Sequence, residues 1–242
     1  QSKSFTSFRN RDFATIKGVD VGFLMRKINH LSGSMNYSLS FAEGTGSVSN
    51  SQRNIAWVGS DPPRQTAPLD FDQRHKLSVT ADWSFEKGEG PVWGGIRPFE
   101  NLGINLLYNV GSGTPYTPTN VFNELTLGNV SSQPSGPLNS RYGPWSQTLD
   151  FKAARSFKVA AATLEGYLWV LNAFNTRNPV AVYSSTGSPS TTGWLNTNDG
   201  QGYLDNANSK GKDGLGLYRL AEADPGLYAN PRLVRFGVRA NF

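Results

Sequence analysis

The chain has 242 residues, no cysteine, 26 glycines, 14 prolines and a formal charge of +5. The missing cysteines exclude a disulfide framework and thiol chemistry, and the modest charge, without a clustered basic run or a nucleic-acid motif, gives no footing to a nucleic-acid partner. No run of about 18 apolar residues occurs, so no transmembrane helix is expected, and the length suits one large β domain or two small ones.

Gln1 is followed by no charged stretch leading into an apolar run, so a removed signal or a longer parent chain is expected. Residues 13–26 then read as a first strand. Val19, Val21, Phe23 and Met25 share one face; Gly18, Asp20 and Gly22 share the other. The second, 31–41, alternates most cleanly, with Met35, Tyr37, Leu39 and Phe41 against Ser34, Asn36, Ser38 and Ser40. Such period-two patterning marks a strand with one apolar face. The third, 75–85, sets Leu77, Val79, Ala81, Trp83 and Phe85 against Lys76, Ser78, Thr80, Asp82 and Ser84. The fourth, 101–111, sets Leu102, Ile104, Leu106, Tyr108 and Val110 against Gly103, Asn105, Leu107 and Asn109. The fifth, 147–157, opposes Leu149, Phe151 and Ala153 to Asp150 and Lys152. The sixth, 163–174, is apolar on both faces beyond Glu165, and its pattern does not orient it. The last, 232–242, places Val234, Phe236, Val238, Ala240 and Phe242 on one face and Arg235, Gly237, Arg239 and Asn241 on the other.

Seven strands of about ten residues match the 9–11 or so that a tilted transmembrane strand takes. The links sort by length. Those after the first, third and fifth strands are the shorter ones, 27–30, 86–100 and 158–162; those after the second, fourth and sixth are long, 43–72, 113–146 and 175–230. An up-and-down antiparallel sheet then carries all long loops at one end, the asymmetry of outer-membrane barrels with short periplasmic turns and long extracellular loops. The expected fold is therefore all-β: an antiparallel up-and-down transmembrane β-barrel segment. The mean hydropathy of -0.43 is compatible with this, because a barrel hides its apolar band in alternate positions. Seven is odd, whereas bacterial single-chain barrels have even counts, and open edges are not tolerated in lipid. The expectation is a C-terminal part of a larger barrel, pairing with strands outside this chain. An eighth strand within 1–12 or 179–186 would instead allow a small closed barrel with a structural or adhesive role. A secreted soluble β-rich binding module is the reading of another class.

Five landmarks occur in order: DFDQRHKLSV at 70–79, GSGTPYTP at 111–118, LDFKAARSF at 149–157, LNAFNTRNP at 171–179 and PRLVRFGVRANF at 231–242. Together they resemble the C-terminal portion of TonB-dependent outer-membrane transporters, particularly the Oar-like group with carboxypeptidase-regulatory-like N-terminal domains. The resemblance implies a barrel of about 22 strands, an N-terminal plug, and energy from the inner-membrane TonB complex. The implied partners are outer-membrane lipid, the remaining barrel strands and plug, the TonB complex, and the assembly machinery that reads the terminal strand. None of the plug or the energy-coupling segment lies within this sequence.

Candidate sites follow from this frame. Asp20, Lys76, Asp82, Asn105, Asp150, Lys152, Arg235 and Arg239 fall on the polar faces and would line a lumen. Arg235 and Arg239 call for carboxylates on neighbouring strands or the plug, since buried charges need partners. Loop aromatics Trp57, Tyr116, Trp145, Trp194, Tyr203 and Tyr218 are candidates for ligand contact, because loops on a rigid scaffold carry function; packing roles are the plainer alternative. No cofactor, metal or enzymatic activity is expected. His30 and His75 are the only histidines, and a metal site needs three or four ligands. DNANSKGKDG at 205–214 looks superficially like a calcium loop, but Ala207 and Gly216 fall where ligands are required. It reads as a flexible polar loop, with a short helix over 214–222. No phosphate loop or nucleophile elbow is present.

Overall fold

The computed structural model describes residues 13–48, 66–122, 133–159 and 162–241. Ten strands are formed among the described residues: β1 Ala14–Ile28, β2 Leu31–Gly44, β3 Ala67–Pro68, β4 His75–Ser84, β5 Leu102–Gly111, β6 Pro115–Tyr116, β7 Arg141–Tyr142, β8 Ser146–Val159, β9 Ala162–Leu171 and β10 Leu233–Asn241. The sequence reading of seven is thus short by three. The extra strands have two residues each and lie in the long links, where β3 pairs with β2 and β6 pairs with β7.

The seven long strands form one antiparallel sheet in the order β1-β2-β4-β5-β8-β9-β10. Each pairs with its sequence neighbour among the long strands, so the sheet is an up-and-down meander. It does not close: among the described residues, β1 and β10 are unpaired along their outer edges. Of the two stretches that could hold an eighth strand, 1–12 lies outside the described residues and 179–186 supplies none. Residues 179–186 are irregular, with one bridge from Pro179 to Tyr228.

The β1–β2 connection is tighter than the sequence suggested. Both strands run on to a two-residue turn in which Asn29 has φ 46° and His30 φ 74°. Two consecutive positive φ values define a primed turn, whose twist matches that of the flanking strands.

Cross-strand register also orients β9, which its own pattern left open. Val170 pairs with Phe151 and Val234, and Leu168 with Ala153 and Phe236. Leu164, Gly166, Leu168 and Val170 therefore share the apolar face, and Glu165, Tyr167 and Trp169 the polar one. Tyr167 lies across Gly237 of β10, where an added Cβ would come within 2.7 Å of its hydroxyl oxygen.

The last long link contains two helices, α1 Asn198–Ser209 and α2 Gly214–Glu222. The flexible-loop reading of 205–214 is overturned over 205–209, which are the end of α1. Thr197 caps α1 by accepting from the Gly200 N–H, and Asp213 caps α2 by accepting from the Gly216 N–H at 2.8 Å. Each side-chain oxygen satisfies an amide that the first turn leaves bare. Asp213, within the same stretch, is thus a helix cap.

Candidate functional site

All eight charged or amide candidates on the strands occupy one face of the sheet. Asp20 stands opposite Ser38, which stands opposite Lys76. Lower on the same face runs the row Asp82, Asn105, Lys152, Trp169, Arg235. Ser38 donates to Asp20, and Asn105 donates to Asp82 at 2.6 Å. Arg239 reaches Glu165 across the β9–β10 pair at 3.9 Å. Arg235 meets no carboxylate of a neighbouring strand among the described residues: its guanidinium lies over the Trp169 ring, 5.6 Å from the centroid.

The opposite face is apolar through its middle across the seven strands, with Lys17, Glu43, Gln147 and Arg155 sharing it nearer its two ends. One continuous row runs Phe23, Met35, Val79, Tyr108, Leu149. Aromatic clusters mark both ends of this face. At the long-loop end, the Tyr37 hydroxyl and His75 Nδ1 are 2.8 Å apart, and Trp145 stacks on His75 at 5.5 Å. At the short-turn end, Phe85 meets His30, Trp83 and Phe99, and Trp93 meets Phe99 edge-on. Between them β4 runs ten residues. Val79 lies in the middle, and Leu39, opposite His75, lies at the loop-side rim.

At the long-loop end the DFDQRH stretch forms a buried knot. Asp72, 1% exposed, accepts from the Ala42 N–H at 2.8 Å, the Tyr142 hydroxyl at 2.6 Å and Arg74 Nε at 2.9 Å. Burial by itself raises the Asp72 carboxyl, but the Tyr142, Ala42 and Arg74 hydrogen bonds together outweigh it and hold it below the usual range. Arg74 sits over the rings of Phe41 and Tyr142, at 4.4 and 5.1 Å. The knot ties the loop after β3 to β2 and β7.

The asparagines of LNAFNTRNP are stitches. Asn178 pairs with both backbone groups of Gln147, accepting its N–H at 2.7 Å and donating to its carbonyl at 2.8 Å. Asn175 accepts from the Arg232 N–H, just before β10. Asn172, with φ 50°, accepts from the Thr176 N–H, and its own N–H donates to Asp150 on the polar face. The segment is thereby folded over the polar face. Asn178, Pro179, Val180 and Ala229 roof a cavity of about 510 Å³ whose floor includes Asn36, Ser38, Lys76, Ser78, Asn109 and Thr148.

The loop aromatics divide. Trp145 is 58% exposed, and its stacking on His75 places it in the aromatic cluster of the apolar face rather than over the polar face. Trp194, Tyr203 and Tyr218 pack on one another, with centroids 5.1–6.2 Å apart. Tyr218 is buried and its hydroxyl lies 2.8 Å from Thr192 Oγ1, so it is a packing residue rather than a ligand contact. Tyr116 is half-buried against Gly187. In the same motif Gly113 is required by backbone approach, since an added Cβ would meet the Gly143 carbonyl. Trp57 and Phe242 lie outside the described residues.

Comparisons with protein-family models, curated proteins and solved structures found no match for this chain.

Several residues that organise the loop end carried no clear signal in the sequence. Thr192 is fully buried and Glu222 is 6% exposed. The Glu222 Oε1 atom accepts from the Thr191 hydroxyl, the Thr192 hydroxyl and the Thr192 N–H, at 3.1, 3.0 and 2.8 Å. A lone glutamate near a Thr-Thr pair, thirty residues apart in sequence, gives no motif. The asparagines at 172, 175 and 178 do recur every three residues, and that regular spacing was legible.

Proposed function

We propose that this chain forms barrel wall and outward loops of a TonB-dependent outer-membrane receptor that takes up a ligand with energy from the TonB complex. One observation carries the reading. Seven antiparallel strands of 9 to 15 residues share one apolar face, with Phe236 85% and Val238 72% exposed. A face of this size needs an apolar surrounding, and lipid bounded by aromatic clusters at both ends is what a membrane barrel provides. The polar face would look into the lumen. The unpaired outer edges of β1 and β10 require partner strands in lipid, which favours a larger barrel. Loops gathered at one end, folded inward over the polar face, suit capture of a ligand at the outer mouth.

Membrane fractionation of the source cell, followed by the denatured mass of the polypeptide that carries this sequence, tests the proposal. Recovery in the outer membrane at a mass several times 26.4 kDa is expected. Recovery in the detergent-free soluble fraction would overturn the membrane reading. Outer-membrane recovery near 26.4 kDa would overturn the large single-chain transporter in favour of a small or multi-chain barrel.

A further inference from the structure

A second cleft, of about 770 Å³, lies beyond β9 and is built wholly from residues of the last long link. Its size suits a ligand larger than a single amino acid. Arg177 and Arg219 line it, and neither is paired with a carboxylate among the described residues. Free guanidinium groups recognise carboxylates through parallel hydrogen bonds. The Glu222 carboxylate also lines the cleft. Its three hydrogen bonds all fall on Oε1, so the side chain is locked while Oε2 has no hydrogen-bond partner among the described residues. With Oε1 held by three donors, the Oε2 oxygen is left accessible, and a fixed, accessible carboxylate oxygen favours an ammonium group. Asp224, whose Oδ1 accepts the Gly226 N–H, adds negative charge two residues on. Pro189, Pro225 and Pro231 stiffen the walls and offer no N–H, which leaves the charged side chains to set the orientation.

We infer that this cleft binds a short peptide as a zwitterion, its α-ammonium on Glu222 and its α-carboxylate on Arg177 and Arg219. The inference goes beyond the barrel proposal and does not depend on it, since no residue of the sheet lines the cleft.

The experiment is calorimetric titration of the full-length protein in detergent with tetraalanine bearing free termini. The same peptide acetylated and amidated, and inorganic phosphate, serve as separate probes. Binding of free tetraalanine is expected, with affinity about tenfold lower or worse for the blocked peptide, as loss of charge-assisted bonds requires. Glu222→Gln retains an Oε1 acceptor for Thr191 and Thr192, so the helix stays anchored, while an amide donor replaces Oε2. It should lower affinity for tetraalanine about tenfold with the circular dichroism unchanged. Arg219→Gln, at an exposed position, should do likewise and covers the case in which the glutamate variant misfolds. Equal binding of free and blocked peptides, no binding of tetraalanine up to about 10 mM, or phosphate competing as well as tetraalanine would each overturn the zwitterion site. The membrane fractionation result would stand in every one of these cases.

Discussion

On β10 of the sheet, Phe236 is 85% exposed, while in the last long link Thr192 is 0% and Tyr218 5% exposed. The two regions finish themselves by different means. The link has a small interior of its own, in which the Tyr218 and Thr192 hydroxyls pair, Glu222 Oε1 accepts from Thr192, and Ala207 is also buried. The sheet has backbone ladders but little interior: of its long-strand residues, Ala42 is a buried hydrophobic one, and it lies at the loop end beside the Asp72 knot. A sheet with an exposed apolar face owes its completion to its surroundings, whereas the loop cluster owes its completion to itself. Substitutions should therefore act on the sheet through the solvent and on the loops through specific partners.

The largest expected effect is on the sheet. Val79→Arg, at mid-band, should cost about 2–4 kcal/mol in a bilayer, and Leu39→Arg at the rim only about 0–1 kcal/mol. Reversible unfolding in lipid vesicles measures both, with Ser78→Arg on the polar face as the reference. Equal losses at Val79 and Ser78 would erase the distinction between the faces. Next comes the loop interior. Thr192→Val removes one of the three donors to Glu222 Oε1, the Thr192 hydroxyl, while the Thr192 N–H and the Thr191 hydroxyl remain. The buried carboxylate left short of a donor should cost about 1–3 kcal/mol, seen as faster amide exchange over 183–222 with no change in the sheet. Exchange accelerating in both regions together would mean that they form one cooperative unit.

Acid sharpens the comparison further. Asp72 has a lowered folded pKa, so its contribution is fully present above its unfolded value near 3.9 and is lost as pH falls through the lower folded value. The Ala42 amide, which donates to Asp72, should report this in an NMR titration with a midpoint below about 3.9. A midpoint above the ordinary aspartate range would contradict the assigned hydrogen bonds. The smallest effect belongs to the exposed pair at the short-turn end, Lys27 with Glu86 at 3.2 Å. Lys27→Ala should change stability by less than about 1 kcal/mol and lose even that in high salt.

Much of the sheet was legible because side chains alternate with period two and the polar positions are small or charged. Six of the seven long strands, and the facing of Asp20, Lys76, Asp82 and Arg239, follow from that pattern. β9 was not orientable, since Tyr167 and Trp169 are aromatic on the polar face and mimic an apolar row. α1 was missed because NDGQGYLDNANS holds two glycines and several poor helix formers. Its start rests on the Thr197 cap and on packing of Tyr203 against Trp194.

The sequence by itself determined where the long strands lie, the faces of all of them but β9 and the sorting of links by length, because alternation and spacing are local patterns that need no knowledge of distant residues. The tertiary structure alone decided that Arg235 meets Trp169, that Asp72 is locked by Tyr142 seventy residues away, and that Glu222 is buried against Thr192. Those pairings depend on register and on loop closure across long separations, and a linear pattern carries no information about which distant donor reaches which acceptor.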